Sequence, residues 1–125
     1  KIGCPKKYSP NKSILKLAKK ERIKLTITSK PLEAVEGADC VMTDKWISMN
    51  DKVNKASKKK ILKPYQVNKK LMSKANSDAI FMHCLPVGRG EEVTNEVIDG
   101  KQSVVWRQAL NRVHAQKSII KWCLD

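Results

Sequence analysis

Side chains of four different chemistries lie at or just after the ends of short apolar runs in this sequence. Asp44, with Ser48 just beyond it, follows the third such run, Cys84 ends the fourth, and Arg112 comes after the fifth. A carboxylate pairs with an ammonium group, and a guanidinium clamps an oxyanion through two parallel hydrogen bonds. In open α/β sheets, ligands bind where parallel strands end. The set therefore suits a zwitterionic, anion-bearing ligand.

Each of these residues also has a purely structural interpretation. Asp44 is compatible with a loop residue or a helix cap, Cys84 with an inert buried thiol, and Arg112 with a surface position on a helix. His83 and Cys84 are adjacent, and adjacent residues of a strand point to opposite faces. They are therefore not expected to act as the nucleophile and base of a thiol protease. Pattern alone predicts a ligand-binding α/β domain.

Apolar runs alternate with helical patterns along the chain, which predicts the elements that position these side chains. Strands are predicted at 2–4, 23–28, 38–43, from 79 to just before Pro86, and at 103–106, with helices at 11–22, 32–35, 68–75, 95–98 and 110–124. Such alternation is typical of a parallel sheet with right-handed crossovers. We expect a three-layer α/β/α, Rossmann-like domain with a five-stranded parallel sheet in the order 2-1-3-4-5. It carries no dinucleotide motif, because no Gly-x-Gly-x-x-Gly follows the first strand.

Local signals add detail to this layout. Ser9 or Asn11 is expected to cap the first long helix, and Thr94 the helix at 95–98. The lysine-rich residues up to Lys60 predict a mobile loop. The final helix is expected to bury one apolar side, made of Val113, Ile119, Ile120 and Leu124.

The composition is that of one globular domain. The chain has 125 residues, 41% of them hydrophobic, which is enough for an unassisted core. It contains no apolar run long enough for a membrane helix and no signal-peptide pattern. Because it lacks an initiator Met, we expect it to be cut from a longer protein. The four cysteines form no Cys-x-x-Cys pair, so reduced thiols in a cytoplasmic protein are expected.

The net charge of +14 raises the question of nucleic-acid binding. Only four of the 26 basic residues are arginine, the residue that phosphate and base recognition favours. The lysines are scattered, and few aromatic side chains lie among them to stack on bases. We therefore expect a solvated basic surface, with a field that attracts small anionic substrates.

Three longer motifs, met in order, make the chain recognisable. Residues 44–50 read Asp-Lys-Trp-Ile-Ser-Met-Asn, residues 83–86 read His-Cys-Leu-Pro, and residues 111–117 read Asn-Arg-Val-His-Ala-Gln-Lys. They resemble the Asp-x-x-x-Ser-Met-Gly, His-Cys-Leu-Pro and Asn-Arg-x-His-x-Gln-Lys motifs of the ornithine carbamoyltransferase family. Pro-Tyr-Gln-Val-Asn at 64–68 and Cys-Pro-Lys-Lys-Tyr at 4–8 also fit. The resemblance spans residues 1–125, which we expect to form a single, carboxyl-terminal, ornithine-binding domain.

The resemblance implies a transfer reaction between two small molecules. The side-chain amine of L-ornithine attacks the carbonyl carbon of carbamoyl phosphate, giving citrulline and phosphate. Carbamoyl phosphate is already activated, so neither a metal nor an organic cofactor is expected. The resemblance also implies a homotrimeric parent protein in arginine metabolism, with no nucleic-acid or membrane partner.

The same resemblance implies roles for the residues of the first motif. Asp44 and Ser48 are expected to hold the α-amino group of ornithine, and the Met49 backbone helps with the carboxylate. Asn50 stands where the family usually has Gly. Asn adopts left-handed backbone conformations better than most residues, so the loop is expected to tolerate it.

At the reacting end, the resemblance implies that Cys84 lies near the attacking amine and that the Leu85 backbone accepts hydrogen bonds. Arg112 is expected to polarise the carbamoyl oxygen. Cys84 would act by positioning and proton management, and catalytic roles fall to Cys84, Arg112 and Asp44. The physical requirements agree, since the attacking amine must be neutral and the developing oxyanion needs fixed donors.

The chain lacks the motifs of the family's amino-terminal half: the Ser-x-Arg-Thr phosphate loop, the His-Pro-x-Gln motif and an Asn-Asn pair. We therefore expect the isolated chain to have no appreciable carbamoyltransferase activity. Two other functions stay open at this point. One is a carbamoyltransferase for another amine, such as putrescine or an acylated ornithine, and the other is a non-enzymatic basic module that binds nucleic acid.

Overall fold

The computed structural model describes residues 1–48 and 54–125, and within these ranges the chain alternates short strands with helices. The strands are β1 (Ile2–Gly3), β2 (Ile27–Thr28), β3 (Cys40–Thr43) and β4 (Ile80–His83). The helices are α1 (Lys12–Lys20), α2 (Pro31–Val35), α3 (Lys55–Leu62), α4 (Lys69–Met72), α5 (Asn95–Ile98) and α6 (Val105–Leu124). The α/β class expected from the alternating pattern is confirmed.

The strands form two parallel pairs. Ile2 pairs with Ile27 at the start of the β1–β2 register. In the β3–β4 pair the register runs from Cys40 opposite Ile80 to Thr43 opposite His83. Parallel pairing brings the carboxyl ends of β3 and β4 to the same edge, so the residues that follow Thr43 and His83 leave the sheet side by side.

A hydrophobic core covers one face of the β3–β4 pair. Phe81 on β4 is fully buried, and Val41 on β3 is buried beside it. Residues alternate in exposure along β4, as the two-residue period of a strand requires. The helices and the segment before α5 complete this core with buried Val35, Val67, Leu71, Met72, Val93, Val97, Ile98 and Val105.

The prediction of a fifth strand at 103–106 is wrong, because only its first residue, Ser103, pairs with another strand. Ser103 makes a single parallel bridge to Phe81, and α6 begins at Val105, five residues earlier than predicted. Val105 is fully buried in the first helical turn. Its β-branched side chain thus fits the core without a strand, while the residues that follow it are good helix formers.

Other predicted boundaries differ as well, two of them by several residues. The strand predicted at 23–28 is reduced to β2, because β1 offers a pairing partner of only two residues. The loop predicted up to Lys60 contains most of α3, which begins after Asn54. The Asn54 side chain accepts a hydrogen bond from the Ser57 N–H at 3.1 Å, a capping contact that favours a helix despite the lysine-rich composition.

The helix caps follow the sequence signals in part. Asn11 caps α1 by accepting a hydrogen bond from the Ile14 N–H at 3.0 Å, so the choice between Ser9 and Asn11 is resolved. Thr94 stands at the cap position of α5, but its hydroxyl oxygen is buried without a hydrogen-bond partner among the described residues. Within the described ranges, no helix combines the length and the apolar character that a membrane span requires.

The apolar side predicted for α6 is present but not buried. Val113 is 46% exposed and Leu124 is 81% exposed, with Ile119 and Ile120 between these values. Only Val105 of this helix is buried. The prediction failed because the helix contacts the rest of the described chain mainly through its first turns, beside β4.

Candidate active site

Asp44 and Cys84 meet at the shared edge of β3 and β4. Thr43 and His83 are the last paired residues of these strands, so Asp44 and Cys84 emerge next to each other. The Cys84 thiol donates a hydrogen bond to Asp44 Oδ1, with 3.0 Å between sulfur and oxygen. The Lys45 N–H donates to the same oxygen at 2.6 Å. This contact joins two residues that are 40 positions apart in the sequence.

The contact shifts the pKa of Asp44 and the pKa of Cys84 in opposite directions. The hydrogen bond from Cys84 lowers the pKa of Asp44, and the bond from the Lys45 backbone adds to the effect. The hydrogen bond to Asp44 raises the pKa of the Cys84 thiol, with burial and the Asp44 charge acting in the same direction. At neutral pH the pair is therefore a carboxylate and a protonated thiol. Such a carboxylate binds an ammonium group, and such a thiol is a donor rather than a nucleophile.

Leu85 continues this edge in an unusual backbone conformation. Its φ is +51°, in the left-handed region, which an L-residue with a side chain adopts at some cost. The Leu85 N–H donates to His83 Nδ1 at 2.9 Å. The next peptide bond, between Leu85 and Pro86, is cis. The chain thus turns sharply at Cys84 and Leu85, directly at the candidate site.

The buried His83 side chain holds this turn from the core side. Its Nε2 lies 3.4 Å from Oε1 of Glu92, and both side chains are fully buried. The same Glu92 oxygen accepts a short hydrogen bond from the Gly88 N–H. The His83 N–H donates to Gln108 Oε1 of α6 at 3.1 Å. One buried carboxylate therefore contacts the residues on both sides of the turn.

Sequence reasoning missed Glu92 and Gln108. For His83 a signal was available, because residues two apart on a strand share a face and Phe81 is a core residue. For Glu92 nothing in the local pattern indicates burial, since it stands beside another glutamate in a loop. It is buried through tertiary packing, beside His83.

The other predicted site residues are placed less closely together. Ser48 is exposed and lies just beyond the buried Trp46. Arg112 is exposed on α6. Among the described residues, no hydrogen bond or ion pair joins Arg112 to Asp44 or Cys84. Met49 and Asn50 lie outside the described residues.

The Asp44–Cys84 pair lies at an open edge rather than in an enclosed pocket. A cavity of about 250 Å³ lies on the core side of this edge, and Thr43 and Trp46 form part of the cavity wall. The rest of that wall is mainly apolar and includes Cys4, Cys40 and Tyr65. Within residues 1–48 and 54–125, no group of three or more histidine, cysteine or acidic side chains is arranged to hold a metal ion.

Comparisons with known proteins identify the family of this chain. Residues 1–123 match the family model described as aspartate/ornithine carbamoyltransferase, Asp/Orn binding domain. The chain is 58% identical over 123 residues to an ornithine carbamoyltransferase of Rhodopseudomonas palustris, a match covering 98% of the chain and 39% of the relative. It is 52% identical to that of Bradyrhizobium diazoefficiens, covering 99% and 40%. The chain thus spans about two-fifths of the length of these curated relatives.

Solved structures give the same result. The ornithine carbamoyltransferase from Pyrococcus furiosus matches with a TM-score of 0.84 and 43% identity, over 94% of this chain and 39% of that one. The anabolic ornithine carbamoyltransferase from Campylobacter jejuni matches with a TM-score of 0.89 and 34% identity, over 97% and 41%. These matches support an α/β, Rossmann-like fold for the chain.

Proposed function

The chain belongs to the aspartate/ornithine carbamoyltransferase family through its Asp/Orn binding domain, and on this basis we propose that it forms the ornithine-binding part of an ornithine carbamoyltransferase. The observation that carries the proposal is the contact between Cys84 and Asp44. It brings a thiol and a carboxylate together at the carboxyl edge of a parallel strand pair, in a chain 58% identical to a named ornithine carbamoyltransferase.

The proposed reaction is the transfer of a carbamoyl group. The lone pair of the neutral side-chain nitrogen of L-ornithine attacks the carbonyl carbon of carbamoyl phosphate. The bond from that carbon to the phosphate oxygen breaks, phosphate leaves, and the nitrogen loses a proton to give citrulline. The part played by this chain is to hold ornithine with its amine facing the carbonyl, which lowers the entropic cost of the encounter.

The amino-acid end of ornithine is assigned to the edge that follows β3. Asp44 is ionised at neutral pH, since its pKa is lowered, so it can pair with the α-ammonium group. Ser48 adds a hydroxyl to the same group, and the Met49 backbone assists the carboxylate. Ser48 lies four residues beyond Asp44, after the buried Trp46.

The reacting end is assigned to the edge that follows β4. Cys84 lies near the attacking amine as a protonated thiol, because its pKa is raised, and therefore positions the amine and manages its proton rather than attacking carbon itself. The Leu85 backbone accepts a hydrogen bond from the amine. Arg112 polarises the carbamoyl oxygen and stabilises the negative charge that develops on it.

The finer features of the assembly are part of the same proposal. The sheet order 2-1-3-4-5 is supported by the β1–β2 pair, the β3–β4 pair and the bridge from Phe81 to Ser103. The two pairs join strands that are neighbours in that order, and the bridge places Ser103 beside β4, at the position of the predicted fifth strand. A homotrimeric parent protein and a cytoplasmic location rest on the family resemblance alone.

A chimeric enzyme tests the proposed function directly. Residues 1–123 replace the matching segment of the Rhodopseudomonas palustris enzyme, and citrulline is measured with ornithine or putrescine as the amine. We expect citrulline from ornithine, and none from the 125-residue chain alone above a Cys84→Ala control. A folded chimera that carbamoylates putrescine in preference to ornithine, or neither amine, would contradict the proposal.

Arg112 can be tested in the same chimera. Removing a single oxyanion donor typically lowers kcat about 10²- to 10³-fold, and we expect a loss of this size for Arg112→Ala. Arg107→Ala removes the same charge from the same helix and serves as the matched control, with activity near that of the parent chimera. Equal losses in the two variants would argue for a general charge effect and against the assigned role of Arg112.

A further inference from the structure

The motif Tyr65-Gln66-Val67-Asn68 has no role in the proposed reaction, yet each of its residues makes a specific hydrogen bond. The Tyr65 hydroxyl donates to the Ser29 carbonyl at 2.7 Å. Asn68 caps α4 by accepting from the Leu71 N–H at 2.9 Å. The two central residues instead contact the segment that follows the Cys84 turn. This segment, residues 88–92, is called the Glu92 segment below.

The Gln66 side chain donates hydrogen bonds to the backbone of the Glu92 segment. Its Nε2 donates one hydrogen bond to the Gly90 carbonyl at 2.7 Å and another to the Glu91 carbonyl at 2.8 Å. The amide group has two hydrogens, so both are used. The Val67 N–H adds a bond to the Glu92 carbonyl at 2.9 Å. Three successive carbonyl groups of the segment are therefore held by two adjacent residues.

The Glu92 segment in turn holds the Cys84 turn. Oε1 of Glu92 accepts the Gly88 N–H and lies 3.4 Å from His83 Nε2. On its other ring nitrogen, His83 accepts the Leu85 N–H at 2.9 Å. Cys84 thus lies between His83, which contacts Glu92, and Leu85, which donates to His83.

Other contacts to the segment are more exposed and individually weaker. Lys59 forms an ion pair with Glu91 at 2.5 Å, with both side chains more than one-third exposed. Arg89 binds both oxygens of Asp99 at 2.6 and 2.9 Å, also near the surface. Exposed pairs of this kind contribute little to stability. The Gln66 side chain is 9% exposed, and a buried polar contact is costly to lose.

We propose that Gln66 is a positioning residue, which acts through the Glu92 segment and His83 to keep the Cys84 thiol against Asp44. The inference rests on the proposed function for the meaning of the Cys84–Asp44 pair, but its test does not depend on enzymatic activity. It reads the state of the Cys84 thiol in this chain itself.

The test measures how fast Cys84 reacts with an aromatic disulfide reagent across a pH series. The other cysteines are replaced by serine (Cys4→Ser, Cys40→Ser and Cys123→Ser), so the signal comes from one thiol. Gln66→Met keeps the length of the side chain and removes its hydrogen-bond donors. We expect the pH midpoint to fall, because the thiol loses the carboxylate that raises its pKa, and the rate at pH 7.5 to rise about two- to fivefold. A change in exposure alone would scale the rate at every pH and leave the midpoint in place.

Three further variants make the outcome decisive. Asp44→Asn sets the largest midpoint shift that loss of the carboxylate charge can give. Asn68→Ala weakens the same motif without touching the Glu92 segment, and we expect the parent midpoint. Lys59→Met removes only the exposed ion pair and should give a smaller shift in the direction of Gln66→Met. Circular dichroism verifies that each variant is folded.

The outcomes distinguish a failure of the Gln66 proposal from a failure of the proposed function. If Asp44→Asn moves the midpoint while Gln66→Met leaves it at the parent value, the positioning role of Gln66 is overturned, whatever Lys59→Met does, and the Cys84–Asp44 pair stands. If Gln66→Met and Asn68→Ala shift it equally, the effect is general loosening and the proposal is also overturned. If Asp44→Asn itself leaves the midpoint unchanged, the contact that carries the proposed function is absent in solution.

Discussion

Two parts of the candidate site are held in very different ways. The turn at Cys84 is held by contacts on three sides: the exposed Asp44 after β3, the buried Glu92 beside His83, and the half-buried Gln108 from α6. Arg112 lies further along α6, on a stretch where every residue from position 109 onward is exposed. The carboxylate–thiol part of the site is therefore formed by this chain, whereas the guanidinium part is carried on a helix that the described chain leaves uncovered.

The exposed surface of α6 carries several large apolar side chains among its polar ones. Trp122 is 80% exposed and Leu110 is 59% exposed, as are Ile119 and Ile120. Large apolar side chains that are exposed close together often mark a protein–protein contact. The contrast teaches that one part of a candidate site can be held by contacts within the described chain while another part lies on a helix with few such contacts.

The largest expected effect tests the anchored part. Phe81→Ala removes a fully buried aromatic ring from β4, and such changes cost about 3–5 kcal/mol. Because β4 ends at His83, the variant should also free Cys84 for faster reaction with thiol reagents. Urea unfolding followed by circular dichroism measures the loss. A cost under about 1 kcal/mol would mean that the core beneath the site is looser than its burial indicates.

A smaller effect is expected from the buried carboxylate. Glu92→Leu leaves the Gly88 N–H without its acceptor and removes the carboxylate that lies 3.4 Å from the His83 ring, and leaving a buried polar group unpaired costs about 1–3 kcal/mol. Glu92→Gln keeps an acceptor for Gly88 and is the matched control, with a smaller loss in the free energy of unfolding. Equal losses would show that volume and charge matter more here than the hydrogen bond.

How far the sequence predicts this molecule depends on the range of the contacts involved. Asp44 and Cys84 could be expected to meet because each follows a strand in a parallel layout, and that rule needs only local patterns. The first turns of α6 could not, because Val105 is β-branched and apolar, which fits a buried strand or a buried helix turn equally well. Glu92 could not either, because it is buried through tertiary packing beside His83, nine residues earlier in the chain and across a turn.

The exposed face of α6 shows a related limit. Val113, Ile119, Ile120 and Leu124 have a spacing that predicts an apolar side, and the side exists. Periodicity indicates which residues share a face, but it does not say what packs against that face. In the described chain they stay exposed. The same limit applies to Arg112, whose distance from Cys84 is a matter of tertiary packing.

The Asp44 carboxylate should make the folded chain slightly more sensitive to acid pH. The pKa of Asp44 is lowered in the folded chain, so its contribution to stability is present above the ordinary carboxyl pKa and is lost as the pH falls through the lowered value. Between pH 5 and pH 3, the parent should therefore lose more stability than Asp44→Asn. The difference is expected to be small because Asp44 is exposed. Urea unfolding at the two pH values measures it, and identical losses would contradict the shift.

The smallest expected effect concerns the exposed end of α6. Trp122→Ala deletes the bulkiest side chain at the end of α6, but that side chain is 80% exposed, and surface changes usually alter stability by no more than about 0.5 kcal/mol. The same substitution in the chimeric enzyme replaces a residue with new surroundings, since the chain covers only 39% of that relative. We therefore expect Trp122→Ala to be neutral in the isolated chain and destabilising in the chimera, as measured by thermal unfolding of both. A neutral result in both proteins would mean that the end of α6 stays uncovered there too, and that the placement of Arg112 depends on the first turns of the helix alone.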